Sequence, residues 1–293
     1  MSITIAIILG IVGLFFGSFA GASVWRLRAR QLRADEKSGE KPSAKEVHEV
    51  AKLKRQAVHK DRSVCLHCGH TLQWYDLIPL ISWLSLQGKC RYCGKFIGYF
   101  EPVIELGVAG VFVVSYLFWP IPLTTWFGEA QLGIWLCAIV GLVILFAYDM
   151  KWFLLPNPIV FTLIGLGVVN ATLVLVESKF ARGQIVSIFS ACMVLSGIYY
   201  FIYVLSRYQW VGFGDVKLGL ALALLLADWK LAALALFLAN LVGTIIFLPL
   251  MLRGKVKRQS HIPFGPLLIT GWFVAGLFGA QVITWYLMMA LGV

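Results

Sequence analysis

Long apolar runs, parted by short polar, Gly or Pro breaks, fill most of the chain outside residues 26–99. They predict eight spans, at 3–25, 101–119, 131–149, 158–176, 184–205, 216–227, 231–251 and 266–289. Each is read as a helix, because a bilayer core offers no water to unpaired backbone groups. The 216–227 run is short: as a helix it reaches about 18 Å, against a hydrocarbon core of about 30 Å. It is read as a short span in a locally thinned or water-accessible region. The predicted fold is an all-α polytopic membrane protein of about eight transmembrane helices, with a large polar loop between helices 1 and 2. The chain thus divides into a first transmembrane helix (1–25), a loop domain (26–99) and a helical membrane domain (100–293). Within the loop, 31–60 reads as a charged helical arm, with a capping-box pattern at Ser43 to Glu46 and a narrow stripe of Val47, Val50, Lys54 and Val58.

Composition agrees with this pattern: 60% of the 293 residues are hydrophobic and 13% are charged, the latter about half the usual share of a soluble domain. The net charge of +11 is concentrated. Residues 26–99 carry 15 of the 25 Lys/Arg but seven of the 14 Asp/Glu. With this loop inside, the predicted spans put 22 Lys/Arg on the inner face and only Lys179, Arg182 and Lys230 outside. The asymmetry places the loop in the cytoplasm and both termini outside. A basic surface of this kind suits anionic lipid headgroups. No nucleic-acid-binding motif accompanies the charge, so nucleic acid is not an expected partner. No Lys or Arg precedes the apolar run from Ser2 to Val24, and Arg26 follows it; that order favours a retained span over a cleaved leader.

The loop holds two Cys-x-x-Cys pairs, Cys65/Cys68 and Cys90/Cys93, each followed by Gly (Gly69, Gly94). In a reducing compartment disulfides are disfavoured, and four thiolates suit one tetrahedral structural zinc per chain, with a redox dithiol as the alternative. Cys137 and Cys192 fall within spans and read as small buried apolar residues.

Two acids stand apart from the loop and from the external connections. Asp149 ends the run "GLVILFAYD", and Asp215 lies in "WVGFGDVKL". Both fall at the cytoplasmic end of the membrane region, where an ionisable group is costly without a partner or a task. Two carboxylates held together share a proton, so that one acts as base while the other acts as acid. This is aspartic-protease chemistry. Gly212 and Gly214 would let a substrate backbone approach closely, and Lys217 could tune the pair. From the residues alone, an ion or proton transporter and plain interfacial ion pairs (Asp149 with Lys151, Asp215 with Lys217) remain open.

The motifs together resemble the type IV prepilin peptidases, the GxGD-type intramembrane aspartic proteases of peptidase family A24. "GSFAGASVWRL" (Gly17 to Leu27), the tetracysteine loop with "DLIPLISW", "EPVIEL" (Glu101 to Leu106), Asp149 to Asn157 as D-x6-P-N, "GFGDVKL" (Gly212 to Leu218) and "PFGP" (Pro263 to Pro266) occur in the family's order. The resemblance spans nearly the whole chain. It implies that Asp149 and Asp215 are the catalytic pair and that the substrates are type IV prepilins or pseudopilins. These would be cleaved after a basic leader at the cytoplasmic face of the bacterial inner membrane. It also implies N-methylation of the new N-terminus from S-adenosylmethionine, an activity the family associates with the cytoplasmic loop, in which zinc would pin the apolar "WYDLIPLISWLSL" at the membrane surface. Glu105 matches a family acid and is a candidate methyl-transfer or substrate contact. Gly21, Leu66, Leu77, Phe100 and Glu101 depart from the family pattern. None touches the aspartates or the cysteines, and several lie in or beside the loop, so a peptidase without methyltransferase activity is the alternative.

The charge asymmetry predicts that single cysteines introduced near Gly128, Phe180 and Trp229 will react with an impermeant thiol reagent from outside, whereas cysteines near Lys95, Asn157 and Gln259 will not. Labelling of Gln259 from outside would make 216–227 re-entrant.

Overall fold

The computed structural model describes residues 2–38, 50, 53, 62–254 and 263–291. The capping box at 43–46, and Val47, Lys54, Val58 and Gln259, lie outside the described residues. The chain forms two compact units, Met1–Leu117 and Phe118–Val293. All regular elements among the described residues are helices, and seven are long and apolar enough to cross a membrane.

In the first unit, α1 (Ile3–Lys37) packs along α3 (Phe100–Leu117). The approach is close because Gly13 and Gly17 present no side chain: a Cβ on Gly13 would lie 2.7 Å from the Ala109 backbone. The helix runs 12 residues beyond the predicted end of the first span at 25. Its extension, "RLRARQLRADEK", is made of strong helix formers without Gly or Pro. Ala29 and Leu32 on this extension pack with Val50, Leu53 and Val64, flanked by Trp25 and Leu66. The polar loop therefore has a small apolar core, built on the helix that precedes it. Between its cysteine pairs lie a 3₁₀ turn (Trp74–Leu77) and the short α2 (Ile81–Ser85).

The second unit is a bundle of α4 (Trp126–Trp152), α5 (Asn157–Glu177), α6 (Arg182–Cys192), α7 (Ile198–Leu205), α8 (Phe213–Leu226), α9 (Trp229–Leu252) and α10 (Phe264–Leu291). α6 and α7 are one helix interrupted by a π turn at Met193–Gly197. Cys137 is exposed and Cys192 half-buried, not buried as expected, because their helix faces are not fully covered among the described residues.

The predicted short span is α8, whose 14 residues extend about 21 Å. Its N-terminus lies at the end of the bundle where α4 finishes, since Leu155, just beyond α4, packs on Gly214. Its C-terminus lies at the opposite end. There Asn170 Nδ2 donates to the carbonyls of Leu224 (3.2 Å) and Leu225 (3.0 Å), and Asn170 Oδ1 accepts from Gln131 Nε2 on the first turns of α4 at 3.2 Å. α8 therefore traverses the bundle from one end to the other and does not fold back. A cavity of about 300 Å³, lined by Gln131, Asn170 and Leu226 among others, adjoins its early end. The free carbonyls of a short helix must be met inside the protein when no water is at hand, and a buried Asn does this.

The structure thus predicts that Asn170→Leu, which strands two carbonyls and the Gln131 amide, lowers stability by about 1–2 kcal/mol. The measurement is a detergent-solubilised thermal melt, and Gln131→Leu in the same background should add little because its partner is already gone.

Candidate active site and metal centre

Asp149 sits on the last turn of α4 and is 5% exposed. That helix ends in Phe153, whose left-handed φ of 54° turns the chain and whose N–H caps the Asp149 carbonyl at 2.9 Å. Asp149 Oδ2 accepts a buried hydrogen bond of 3.1 Å from the Gly265 N–H at the start of α10. A Cβ on Gly265 would lie 2.8 Å from that same oxygen, so only glycine leaves room for the carboxylate. Asp215 lies in the first turn of α8, which starts after the extended Gly212 (φ −74°, ψ 143°); its own N–H bonds the Gly212 carbonyl at 3.1 Å.

The two acids are brought together. Leu155 inserts between Gly214 on α8 and Gly265 on α10, within 3.5 Å of where a Cβ on either would stand. Asp215 lies within electrostatic reach of Asp149. Ser196, on the π turn, donates to the Val216 carbonyl at 2.9 Å, and Gly219 lies directly against the Leu195 backbone. These contacts fix how α8 is seated. Lys217 does not face Asp215 as an ion-pair partner: its Nζ donates to Asn157 Oδ1 at 2.6 Å and stands over the rings of Phe213 (5.0 Å) and Phe161 (5.6 Å). It ties the strand of chain after Asp149 to the helix that carries Asp215. Gly212 is exposed, and a Cβ there would meet nothing nearer than Asp215 Oδ2 at 3.6 Å. Side-chain-free backbone therefore faces the carboxylate. Sequence reasoning quoted "PFGP" without giving Gly265 a task, and it missed Tyr199, whose buried ring packs on Phe264 at 5.3 Å beside the site.

In the first unit the sulfurs of Cys65, Cys68, Cys90 and Cys93 all lie within 4.8 Å of one another. Tetrahedral zinc with Zn–S bonds of 2.3 Å needs sulfurs about 3.8 Å apart, and Cys65 and Cys93 already stand at 4.0 Å. Each pair sits in the same turn. Cys65 N–H bonds His70 O and Gly69 N–H bonds Cys65 O, as Cys90 N–H bonds Lys95 O and Gly94 N–H bonds Cys90 O. Gly69 (φ 76°) and Gly94 (φ 68°) occupy the left-handed positions that close these turns. Burial above all, with the neighbouring Cys90 and Cys68 adding to it, pushes the Cys65 thiol up to about 12; a divalent cation inverts that preference, because the thiolate is the ligating form. The four-cysteine cluster is thus compatible with a closed zinc site. His67 and His70 are directed elsewhere, His67 Nε2 to Phe96 O at 3.1 Å and His70 onto the Tyr92 ring at 3.6 Å.

Between the knuckles, Asp76 accepts from Arg91 Nε (2.8 Å), Tyr92 OH (2.9 Å) and the Gln73 N–H (3.1 Å). Burial raises its pKa, but these donors outweigh it and leave the carboxyl below its ordinary value. Glu105 is 6% exposed and accepts the Leu80 N–H at 2.8 Å. Leu80 has a φ of 56° with a ψ of −45°, a positive-φ conformation that a leucine adopts at a cost, and the buried acid holds it there.

A sequence profile of the bacterial peptidase A24 N-terminal domain matches residues 11–119, and one of the type IV leader peptidase family matches residues 135–248. The chain is 30% identical to a prepilin leader peptidase/N-methyltransferase of Stutzerimonas stutzeri, over 96% of this chain and 93% of the relative. It is 31% identical to one from Aeromonas hydrophila (94% and 91%) and 29% identical to one from Bacillus subtilis (79% and 87%). No solved structure matches.

The geometry predicts that Gly265→Ala, which drives a methyl group against Asp149 Oδ2, lowers any activity that depends on this carboxylate by roughly 10²-fold, the scale of an ångström misplacement at a reacting group. Leu155→Ala, which keeps the Gly265–Asp149 bond and only loosens the packing between α8 and α10, should cost less in the same turnover assay.

By its two matching profiles and by relatives covered over nearly their whole length, the chain belongs to the type IV leader peptidase family.

Proposed function

We propose that this chain is a bifunctional processing enzyme of the bacterial inner membrane. It cleaves the basic leader from type IV prepilins or pseudopilins and N-methylates the exposed N-terminus. The observation that carries the peptidase reading is the juxtaposition of Asp149 and Asp215 at one end of the bundle, where the Gly265 N–H holds Asp149 and Leu155 packs on both Gly265 and Gly214. One carboxylate takes a proton from water while the other protonates the scissile carbonyl oxygen. The tetrahedral adduct then collapses, the C–N bond breaks and the leaving amine takes up a proton. Asp149 is held in place by the Gly265 N–H. Gly212 leaves backbone open to an extended substrate segment, Gly214 instead makes room for Leu155, and the Lys217–Asn157 contact keeps the two aspartate motifs in register. Family membership favours this over a transporter.

Zinc bound by Cys65, Cys68, Cys90 and Cys93 supplies a cross-link that holds the loop's two knuckles together and, having no open position, no Lewis-acid chemistry. Methylation is carried by the names of the relatives, and S-adenosylmethionine is the donor that this reaction implies. The Lys/Arg asymmetry supports a cytoplasmic loop and external termini. Trp74, Ile81 and Leu84, exposed on the loop, suit an anionic lipid surface already attracted by its basic residues.

Two experiments bear on this. Asp149→Asn and Asp215→Asn, each nearly isosteric, should abolish cleavage of a coexpressed prepilin, read by mass spectrometry, without loss of the folded protein from the membrane; near-normal cleavage by either overturns the assignment. Elemental analysis should find about one zinc per chain, and Cys90→Ser should release it, lowering methylation strongly and cleavage less.

A further inference from the structure

Tyr199 is a buried polar residue to which the peptidase chemistry above gives no task. It is 6% exposed, and its hydroxyl has no hydrogen-bond partner among the described residues. Asn240 on α9 approaches the hydroxyl, but its Nδ2 already donates to the Leu236 carbonyl at 2.8 Å, and no hydrogen bond joins the two. A buried hydroxyl without a partner is costly, and in a native fold it asks for a reason. Three contacts fix the level at which this hydroxyl lies. The helix that carries Tyr199 runs antiparallel to α8: the Leu195 backbone meets Gly219, Ser196 Oγ donates to the Val216 carbonyl at 2.9 Å, and the Tyr203 ring packs on Phe213 at 5.4 Å. Tyr199 stands three residues after Ser196 and four before Tyr203, so it shares the face they turn toward α8. Its level on α8 is therefore between Val216 and Phe213, which is that of Asp215. In agreement with this, Tyr199 lies within electrostatic reach of Asp215. Its ring packs on Phe264, the residue before the Gly265 that holds Asp149. The π turn at Met193–Gly197 sets this register, and such turns gather at functional sites. Asp149 has the Gly265 N–H, whereas no side-chain donor meets the Asp215 carboxyl among the described residues.

We propose that Tyr199 is a positioning residue for Asp215, its hydroxyl a hydrogen-bond donor reserved for that carboxylate when it is ionised. The inference rests on the peptidase reading above and deepens it by adding a third polar group to the same centre. Two carboxyls held together share a proton, and turnover passes it on. Whichever part Asp215 takes, base or acid, it carries negative charge at one point of the cycle. The phenol O–H then turns to that oxygen and keeps its own proton, so no bond in the tyrosine breaks. A donor to a charged acceptor is about twice as strong as one to a neutral group, and a buried setting strengthens it further. A donor already in place when charge develops needs little reorganisation at that moment. The hydroxyl left over in the resting chain is thus matched to a charge that only turnover creates. Packing on Phe264 uses the ring and gives no use to the oxygen, since phenylalanine would pack there as well.

The test uses the full chain in lipid nanodiscs with a purified prepilin, and reads kcat and KM by mass spectrometry for wild type, Tyr199→Phe and Tyr199→Leu. Tyr199→Phe keeps the ring against Phe264 and removes one oxygen. Its kcat should fall about 10- to 100-fold, the scale of one hydrogen bond to a charged group. KM should stay within about twofold, because the bond forms during turnover and not on binding. Its melting temperature should equal or exceed that of wild type, since the hydroxyl holds no partner in the resting fold. Tyr199→Leu, which lacks the ring as well, should lose both turnover and melting temperature. A wild-type kcat in Tyr199→Phe overturns the inference. So does a raised KM at unchanged kcat, which would make the hydroxyl a substrate contact, and so does a lowered melting temperature, which would make it a partner within the fold. In all three cases the peptidase reading stands as long as wild type cleaves and Asp215→Asn does not. A wild type that leaves the prepilin intact overturns that reading, and this inference with it.

Discussion

The hydrogen bond from the Gly265 N–H to Asp149 Oδ2 is the contact on which the second unit turns. A carboxylate at the end of an apolar helix is costly in a low-dielectric surrounding unless it is met by a donor. Here the donor is backbone at the first turn of another helix, where free N–H groups and the helix dipole both favour an acid. The bond binds the end of α4 to the beginning of α10 and requires a glycine, because a methyl group would occupy the place of the oxygen. Leu155 then packs against that glycine and against Gly214, and so the position of Asp215 follows from the seating of Asp149.

The same shortage of water explains the polar residues elsewhere in the bundle. Buried Asn170 meets the carbonyls at the end of α8, and buried Gln131 in turn donates to the Asn170 side-chain oxygen. That lets a helix too short for an ordinary span stop inside the protein. Gln184 accepts the same duty toward Ala227, donating to its carbonyl at 2.7 Å. A short α8 has a mechanical consequence: its N-terminal aspartate and its C-terminal cap are both fixed by neighbours, and Ser196 anchors its first half to the π turn. Few positions along it are free to drift.

In the first unit the limiting quantity is apolar area. The small core of Ala29, Leu32, Val50, Leu53 and Val64 is too slight to order a loop of this length. Four sulfurs gathered within 4.8 Å supply the missing constraint once a metal joins them. Glu105 adds a second tie, from the membrane helix α3 to the strained Leu80.

Much of this was legible in the residues. Long apolar runs determine helices wherever backbone groups cannot reach water, so the spans and the polar loop followed from hydropathy alone. The cysteine spacing determined a four-sulfur cluster, because two tight turns of this kind converge readily. The pairing of Asp149 and Asp215 could be expected from their shared end of the membrane. Periodicity carries no information on partners, however, and there tertiary structure decided. It extended α1 to Lys37 by giving Ala29 and Leu32 something to pack on. It turned Lys217 toward Asn157, 60 residues away, instead of toward the neighbouring acid. It gave Gly265 its role through a distance between helices 116 residues apart. A glycine, an amide or a lysine reads the same in sequence whether it is idle or indispensable, and only the atom placed opposite it distinguishes the two.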